Sequence, residues 1–127
     1  MAGIPLNTFR TVTTNPVSLN ETIAYIATTG LTSIVLMAQA ATIGLDAGLI
    51  TFKHYRPQSS SNPQVGGQPI FGDTSTVIIN SALVPPNDAL VMLGGKLVLE
   101  TFDYITVKSD QDGTLQAIFS ILETANQ

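Results

Sequence analysis

β-branched and aromatic residues cluster along the chain in short runs of apolar and polar positions, and Gly, Pro, Asn and Asp separate the runs. An alternation with a period of two is typical of half-buried β-strands, and no sustained stripe with the helical period competes with it. The runs predict strands over residues 8–14, 21–29, 32–44, 49–56, 74–85, 103–109 and 114–124, with two shorter strands inside residues 89–100.

The segment 32–44 is the one place where a helix competes with a strand. Its first half is a continuous apolar run, which suits a strand that is covered on both faces. Leu, Met, Ala and Gln at its centre propagate helices well. Thr, Ile and Val residues at both ends favour extended structure, so we predict a strand.

Turn residues suggest how the last strands connect. The stretch LGGKLVLETFDYITVKS (93–109) contains two strand-like runs and predicts a hairpin, with Gly94 and Gly95 in a tight turn or a bulge. The segment DQDG (110–113) predicts a second hairpin turn, in which Gly113 takes a positive φ.

About eight or nine short strands at this spacing predict an all-β fold. We expect a single-domain antiparallel β-sandwich, in jelly-roll or immunoglobulin-like order, over residues 8–127. Residues 1–7 would form an extended N-terminal arm. Residues 57–73 are rich in Pro, Gly, Ser, Gln and Asn and predict a long loop, a feature that usually serves a function or stays mobile.

The chain is poor in charge. Charged residues make up 11% of it, against about 25% in an average domain. Such a surface loses little solvation when it is covered, so we expect much of it to meet other chains; an ordinary secreted β-domain is the alternative. The net charge is −4 with five basic residues, which disfavours nucleic-acid binding, and without cysteine there is no disulfide.

Targeting signals are not evident in the sequence. The first ten residues lack a basic segment followed by a long apolar core, so they do not predict a signal peptide. The most apolar stretch, residues 31–52, is interrupted by polar residues and glycines, so we interpret it as two buried strands and not as a membrane span. We therefore expect a soluble protein that is made in a cytoplasm without export and has no membrane partner.

Few residues suggest reaction chemistry. His54 is the only histidine, and the serines near it lie in the loop 57–73 without a nucleophile elbow, so we interpret His54 as a polar residue on an edge strand. Glu100 and Asp103 are better explained by a solvated turn than by a glycosidase pair. A calcium loop starting at Asp110 would need Glu at its twelfth position, which is Ile121. We expect no enzyme activity, cofactor, metal or small-molecule substrate.

The segment KHYR (53–56) is the one local cluster of basic and aromatic residues. One interpretation is a contact patch for an acidic neighbouring chain. The other is an edge strand that uses its charges to prevent pairing with a second sheet. The sequence leaves both open.

The C-terminal half resembles small structural proteins of tailed-bacteriophage particles. The resemblance consists of a strand preceded by prolines, a GGKLVLE turn, an acidic residue before the next strand, and a final strand that closes on S-x-L-E. The matching residues are Pro85, Pro86, Gly94, Gly95, Lys96, Leu97, Glu100, Asp103, Ser120, Leu122 and Glu123. The pair Thr101 and Phe102 departs from the pattern, which has a small residue and then Gly there.

The resemblance implies a non-enzymatic virion component. Our first hypothesis is a capsid cement or decoration protein that clamps neighbouring major-capsid subunits and binds copies of itself, with a trimer as the expected state. A neck, tail or baseplate component, and a carbohydrate-binding host-attachment module, are the alternatives. The residues that we expect to contact partners are Ile4, Pro5, Leu6, Lys53, His54, Arg56, Gln58, Gln64 and Phe71.

Overall fold

The structure, a computed structural model, describes residues 7–15, 17–43, 45–58, 62–111 and 113–125, and in them it contains nine β-strands and no helix. The strands are β1 (Asn7–Thr14), β2 (Thr22–Ile26), β3 (Leu31–Thr42), β4 (Gly48–Arg56), β5 (Thr74–Val84), β6 (Ala89–Val91), β7 (Leu97–Leu99), β8 (Tyr104–Ser109) and β9 (Leu115–Ala125). The sequence prediction of an all-β fold is confirmed, including the strand in place of the competing helix at β3.

The strands form two antiparallel sheets that pack face to face. One sheet, here called sheet A, has the order β1-β9-β3-β6, with β7 also paired to β3; the other, sheet B, has the order β2-β8-β4-β5. Val91 of β6 pairs with Gln39, and Leu97 of β7 pairs with Val35, so β6 and β7 run along the same edge of β3 as one interrupted strand. When β6 and β7 are counted as one strand, each sheet contains four strands. Their order is that of a jelly roll, which decides against the immunoglobulin-like alternative.

Two predicted hairpins are wrong. β7 belongs to sheet A and β8 to sheet B, so residues 93–109 cross between the sheets, and Gly94 and Gly95 lie in the bulge between β6 and β7. Residues 110–113 likewise cross from β8 to β9; Gly113 has φ of 78° as predicted, and Asp112 lies outside the described residues. Alternation along a strand indicates which face is buried, but it does not identify the neighbouring strand.

The core lies between the two sheets and contains the inward residues of each strand. β9 buries Leu115, Ala117, Phe119 and Ile121, as its alternation predicts. The ring of Phe119 meets that of Phe52 from sheet B with their centroids 5.6 Å apart. The fold thus buries apolar side chains on one face of each sheet and leaves the other faces to solvent, loops or partners.

The interpretation of residues 53–56 as part of an edge strand is wrong. β4 lies between β8 and β5, and both neighbours pair with it along this segment. The charges of Lys53 and Arg56 therefore do not protect a free sheet edge. The same correction applies to His54.

The topology gathers three connections at one end of the sandwich. β1 begins there, and the connections 27–30, 57–73 and 100–103 join strands that end or begin there. We call these three connections the loop end. The shorter connections 43–47 and 85–88 lie at the opposite end.

Candidate functional site

The loop end brings together four of the nine residues that the sequence nominates for partner contact. Arg56 ends β4 there, and Gln58, Gln64 and Phe71 lie exposed on the loop that follows. Lys53 and His54 are half-buried, farther along β4, and alternate between the two faces of sheet B. Ile4, Pro5 and Leu6 lie outside the described residues.

Asp103 is the centre of a polar cluster at the loop end. Its side chain is buried, with Oδ2 3.0 Å from His54 Nε2 and 3.0 Å from Arg56 Nη2. Its Oδ1 accepts from Arg56 Nε at 3.3 Å, and the backbone N–H of Glu100 donates to Oδ2 at 3.1 Å. The hydrogen bond and the charge of Asp103 raise the pKa of Arg56 above its ordinary value. The prediction of a solvated turn is wrong for Asp103, although Glu100 is exposed.

The cluster holds the β7–β8 connection against β4. His54 and Arg56 are two residues apart on a strand and therefore share a face, so both reach the same carboxylate. Arg56 also donates to Glu100 Oε2 at 2.5 Å, which ties the exposed side of the connection to the same guanidinium. Two side chains of β4, those of His54 and Arg56, thus hold two residues of the connection, Asp103 and Glu100.

The long loop is bound to the sandwich at several points. Asp73 accepts hydrogen bonds from the backbone N–H of Gln58 at 2.9 Å and from the hydroxyl of Tyr104 at 2.6 Å. Gly66 N donates to Ile23 O at 2.9 Å, and Ile23 N donates to Gly67 O at 2.8 Å. These bonds lie on the free edge of β2 and on the outer face of sheet B, so the described part of the loop covers that edge.

All three tyrosines are buried and donate their hydroxyls to carboxylates. Tyr25 donates to Glu123, Tyr55 to Glu21 at 2.7 Å, and Tyr104 to Asp73. Burial, followed by the bond to Glu123, raises the pKa of Tyr25 to about 12. Burial and the bonds to Glu21 and Asp73 raise the pKa values of Tyr55 and Tyr104 in the same way.

The tyrosine pairs join the loop end to both sheets. Tyr25 reaches from sheet B to Ser33 and Glu123 of sheet A, with its hydroxyl 2.8 Å from Ser33 Oγ. The rings of Tyr55 and Tyr104 stack at 5.0 Å on the outer face of sheet B, and Ile70 N donates to the hydroxyl of Tyr104. These bonds and stacked rings restrict the positions of the strands and the loop at this end.

Phe102 has an unusual backbone at the tip of the β7–β8 connection. Its φ is 74°, in the left-handed region that a bulky side chain rarely adopts. Gly is the residue that such a φ favours. Its ring is 49% exposed and lines an open cleft of about 560 Å³ together with Ile26, Thr28 and Arg56. Val65 and Phe71 are two more exposed apolar side chains, both on the long loop.

A second surface was missed at the level of sequence. The outward residues of sheet A that pair across its strands include no ionisable side chain in the described part of the chain; Lys96 lies in the bulge at the edge. We call this surface the neutral face. One row across all four strands is wholly apolar, and it consists of Phe9, Leu122, Ile34 and Val98. The sequence did contain a signal for the neutral face, because the outward positions of the alternating β9 pattern are uncharged.

The described residues contain no group of three or more His, Asp or Glu side chains placed to hold a metal ion. Within the same residues, no helix has the length and apolar character needed to cross a membrane. These observations leave the loop end and the neutral face as the two surfaces with distinct chemistry.

Comparisons with known proteins found no relative of this chain. It matches no protein-family model, and neither a curated protein nor a solved structure is significantly similar to it.

Proposed function

We propose that the protein is a non-enzymatic virion structural protein, a capsid cement or decoration protein that binds neighbouring major-capsid subunits through its loop end. The observation that carries the proposal is Phe102. A bulky residue in the left-handed region costs of order 1–3 kcal/mol, and such residues cluster at functional sites. Phe102 is 49% exposed, so about half of its side chain gains nothing from burial within the chain.

The setting of Phe102 supports a binding role. Val65 and Phe71 lie exposed on the neighbouring loop, and Asn7, the last residue of the predicted arm, begins β1 at the loop end. An exposed ring at the rim of an open cleft is typical of an interaction site. Arg56 and Glu100 provide polar groups beside them, as the rim of an interface does.

The rigidity of the loop end also favours this function. Asp103 holds the β7–β8 connection, and Asp73 closes the long loop. A surface that is already ordered loses less conformational entropy on binding. Repetition over a symmetric particle then multiplies contacts that are individually weak.

Rebinding to particles that lack the protein tests the proposal. Phe102→Gly removes the ring and suits the positive φ, so we expect a folded protein with strongly reduced occupancy. Leu45→Gly removes an exposed apolar side chain at the opposite end and is the matched control, with occupancy unchanged. Deletion of residues 1–6 should also lower occupancy. Full occupancy by both the Phe102→Gly variant and the truncated chain would overturn the proposal.

The position in the particle is decided by copy number. From the symmetries of such assemblies, we expect a capsid protein in roughly hundreds of copies per particle and a neck, tail or baseplate component in tens or fewer. Quantitative mass spectrometry of purified virions separates these alternatives. In either case the protein is made in the host cytoplasm and ends in the virion.

The cleft beside Phe102 favours one candidate of another class. A ring at its rim, the hydroxyls of Thr28 and Thr29, and the polar groups of Arg56 and Glu100 are groups with which a carbohydrate-binding module recognises a sugar. A glycan array tests this host-attachment function. Binding that is lost in Phe102→Gly while particle occupancy is retained would select it over the capsid function.

A further inference from the structure

We infer that the neutral face is a self-association surface, on which a second copy of this chain packs face to face about a two-fold axis. The inference goes beyond the capsid function and does not depend on it, and it replaces the trimer expected from the resemblance with a two-fold pair. It rests on the distribution of charge, the row of apolar residues and the size of the face.

Charge distinguishes the two outer faces of the sandwich. The chain has five Lys or Arg and nine Asp or Glu residues, with a net charge of −4. Sheet B displays Lys53, Lys108 and Glu21 on or beside its outer face. The paired outward positions of sheet A display none in the described residues, and Arg10 and Glu123 of its strands bond to each other at 3.3 Å. Copies of an acidic chain repel least through the surface that has no charge.

The chemistry of the neutral face suits an identical partner. In a two-fold interface each patch meets its own copy, so every group must be compatible with a surface of the same composition. Thr11, Ser120 and Gln39 carry hydroxyl or amide groups, which both donate and accept hydrogen bonds and can therefore pair with their own kind. Ammonium and carboxylate groups cannot do so, and they are absent from these positions.

The apolar row supplies the driving force. Phe9 is 74% exposed and Val98 is 53% exposed, while Ile34 and Leu122 between them are half-buried. The row crosses all four strands, so a copy rotated by 180° lays the same row against it. Burying exposed apolar surface stabilises the pair by roughly 25 cal/mol per Å² before the costs of association.

The face also has the size of a stable interface. Five outward positions along β9, about 6.8 Å apart, and four strands about 4.8 Å apart give a flat footprint of roughly 600 Å². The accessible surface of a corrugated sheet exceeds its flat footprint. Specific interfaces bury about 600–1,000 Å² on each partner, so the footprint of one neutral face reaches the lower end of that range.

Analytical ultracentrifugation of the purified full chain tests the inference. The wild-type protein should sediment at twice the chain mass of 13.4 kDa. Val98→Lys places a charge in the apolar row and should weaken the dimer by about tenfold or more. Val77→Lys is the matched control, since Val77 is an equally exposed valine, at 49%, on edge strand β5 of sheet B. It should leave the dimer intact.

Salt provides a second measurement that needs no variant. An uncharged interface should persist to about 1 M salt, where charges are screened within about 3 Å, whereas association through Arg56 and Glu100 of the loop end should weaken. If Val98→Lys fails to fold by circular dichroism, Val91→Lys on the same edge of sheet A takes its place. A wild-type monomer, a trimer, or a dimer that survives the charge on the neutral face would each overturn the inference. Particle occupancy is scored separately, so failure here is distinct from failure of the capsid proposal.

Discussion

Raising the pH above 10 should unfold this protein steeply, because every tyrosine is buried as a neutral phenol. The pKa of Tyr25 rises from 10.0 to about 12, and those of Tyr55 and Tyr104 are raised by burial and by hydrogen bonds to carboxylates. Above pH 10 the unfolded chain releases these protons while the folded chain retains them. The stability that they contribute is complete below pH 10 and is lost as the pH rises through the folded-state pKa values.

The magnitude follows from the size of the shift. A displacement of about two units for Tyr25 corresponds to roughly 3 kcal/mol of stability that disappears between pH 10 and pH 12. Each protonated tyrosine adds a slope of about 1.4 kcal/mol per pH unit, so three give about 4 kcal/mol per unit. A domain with a free energy of unfolding of about 5–15 kcal/mol loses most of it across this range.

The assay is a spectrophotometric titration of phenolate absorbance, with circular dichroism recorded on the same samples. The chain has no Trp, so the three tyrosines give the phenolate signal without overlap. We expect ionisation to be delayed past pH 10 and then to coincide with the loss of β-structure. In concentrated guanidinium chloride the midpoint should return to about 10. Gradual ionisation near pH 10 with the β-structure intact would refute the placement of the three hydroxyls.

Three further predictions concern stability and are measured by chemical denaturation. Asp103→Ala removes the acceptor of the Glu100 N–H and of the His54 ring and should lower the free energy of unfolding by about 1–3 kcal/mol. Glu100→Ala is the control and should leave the denaturation midpoint unchanged. Equal midpoints for the two variants would contradict the central role of Asp103. Phe119→Ala opens a cavity beside Phe52 and should lower the free energy of unfolding by about 3–5 kcal/mol. Phe71→Ala changes an exposed residue and should lower it by no more than about 0.5 kcal/mol. A similarly small decrease for Phe119→Ala would place Phe119 outside the core. Phe102→Gly should be at least as stable as the wild type because Gly accepts the positive φ, and a loss above about 1 kcal/mol would show that the ring stabilises the fold.

Sequence patterns predicted the strands well, because the alternation of apolar and polar residues along a strand reflects which of its faces is buried. In β9, Leu115 to Ile121 alternate between core and surface, and the structure repeats that alternation. At β3 the β-branched residues at both ends correctly outweighed the helix formers between them. The sandwich follows from many such strands and little else.

Pairing and the polar cluster could not be predicted in the same way. Asp103 meets Arg56 and His54 across 47 and 49 positions of sequence, and no local pattern reports such a contact. The hairpins proposed within residues 93–109 and at Gly113 assumed that consecutive strands pair. In this jelly roll the chain crosses from one sheet to the other between β7 and β8 and again between β8 and β9, so these consecutive strands lie in different sheets.

Phe102 could be predicted from the sequence only in part. The resemblance to phage proteins led us to expect Gly at this position, and the structure independently gives Phe102 a φ of 74°, which Gly adopts readily. The sequence alone could not show that the ring would remain exposed beside a cleft, because that depends on Ile26 and Arg56, which arrive from other strands.

A cryo-EM map of the assembled virion tests the central claim most directly. The account predicts density for this jelly roll on the outside of the capsid, with the ring of Phe102 and the loop that carries Phe71 in contact with major-capsid subunits. A map in which this end of the sandwich points to solvent while another surface holds the particle would contradict it.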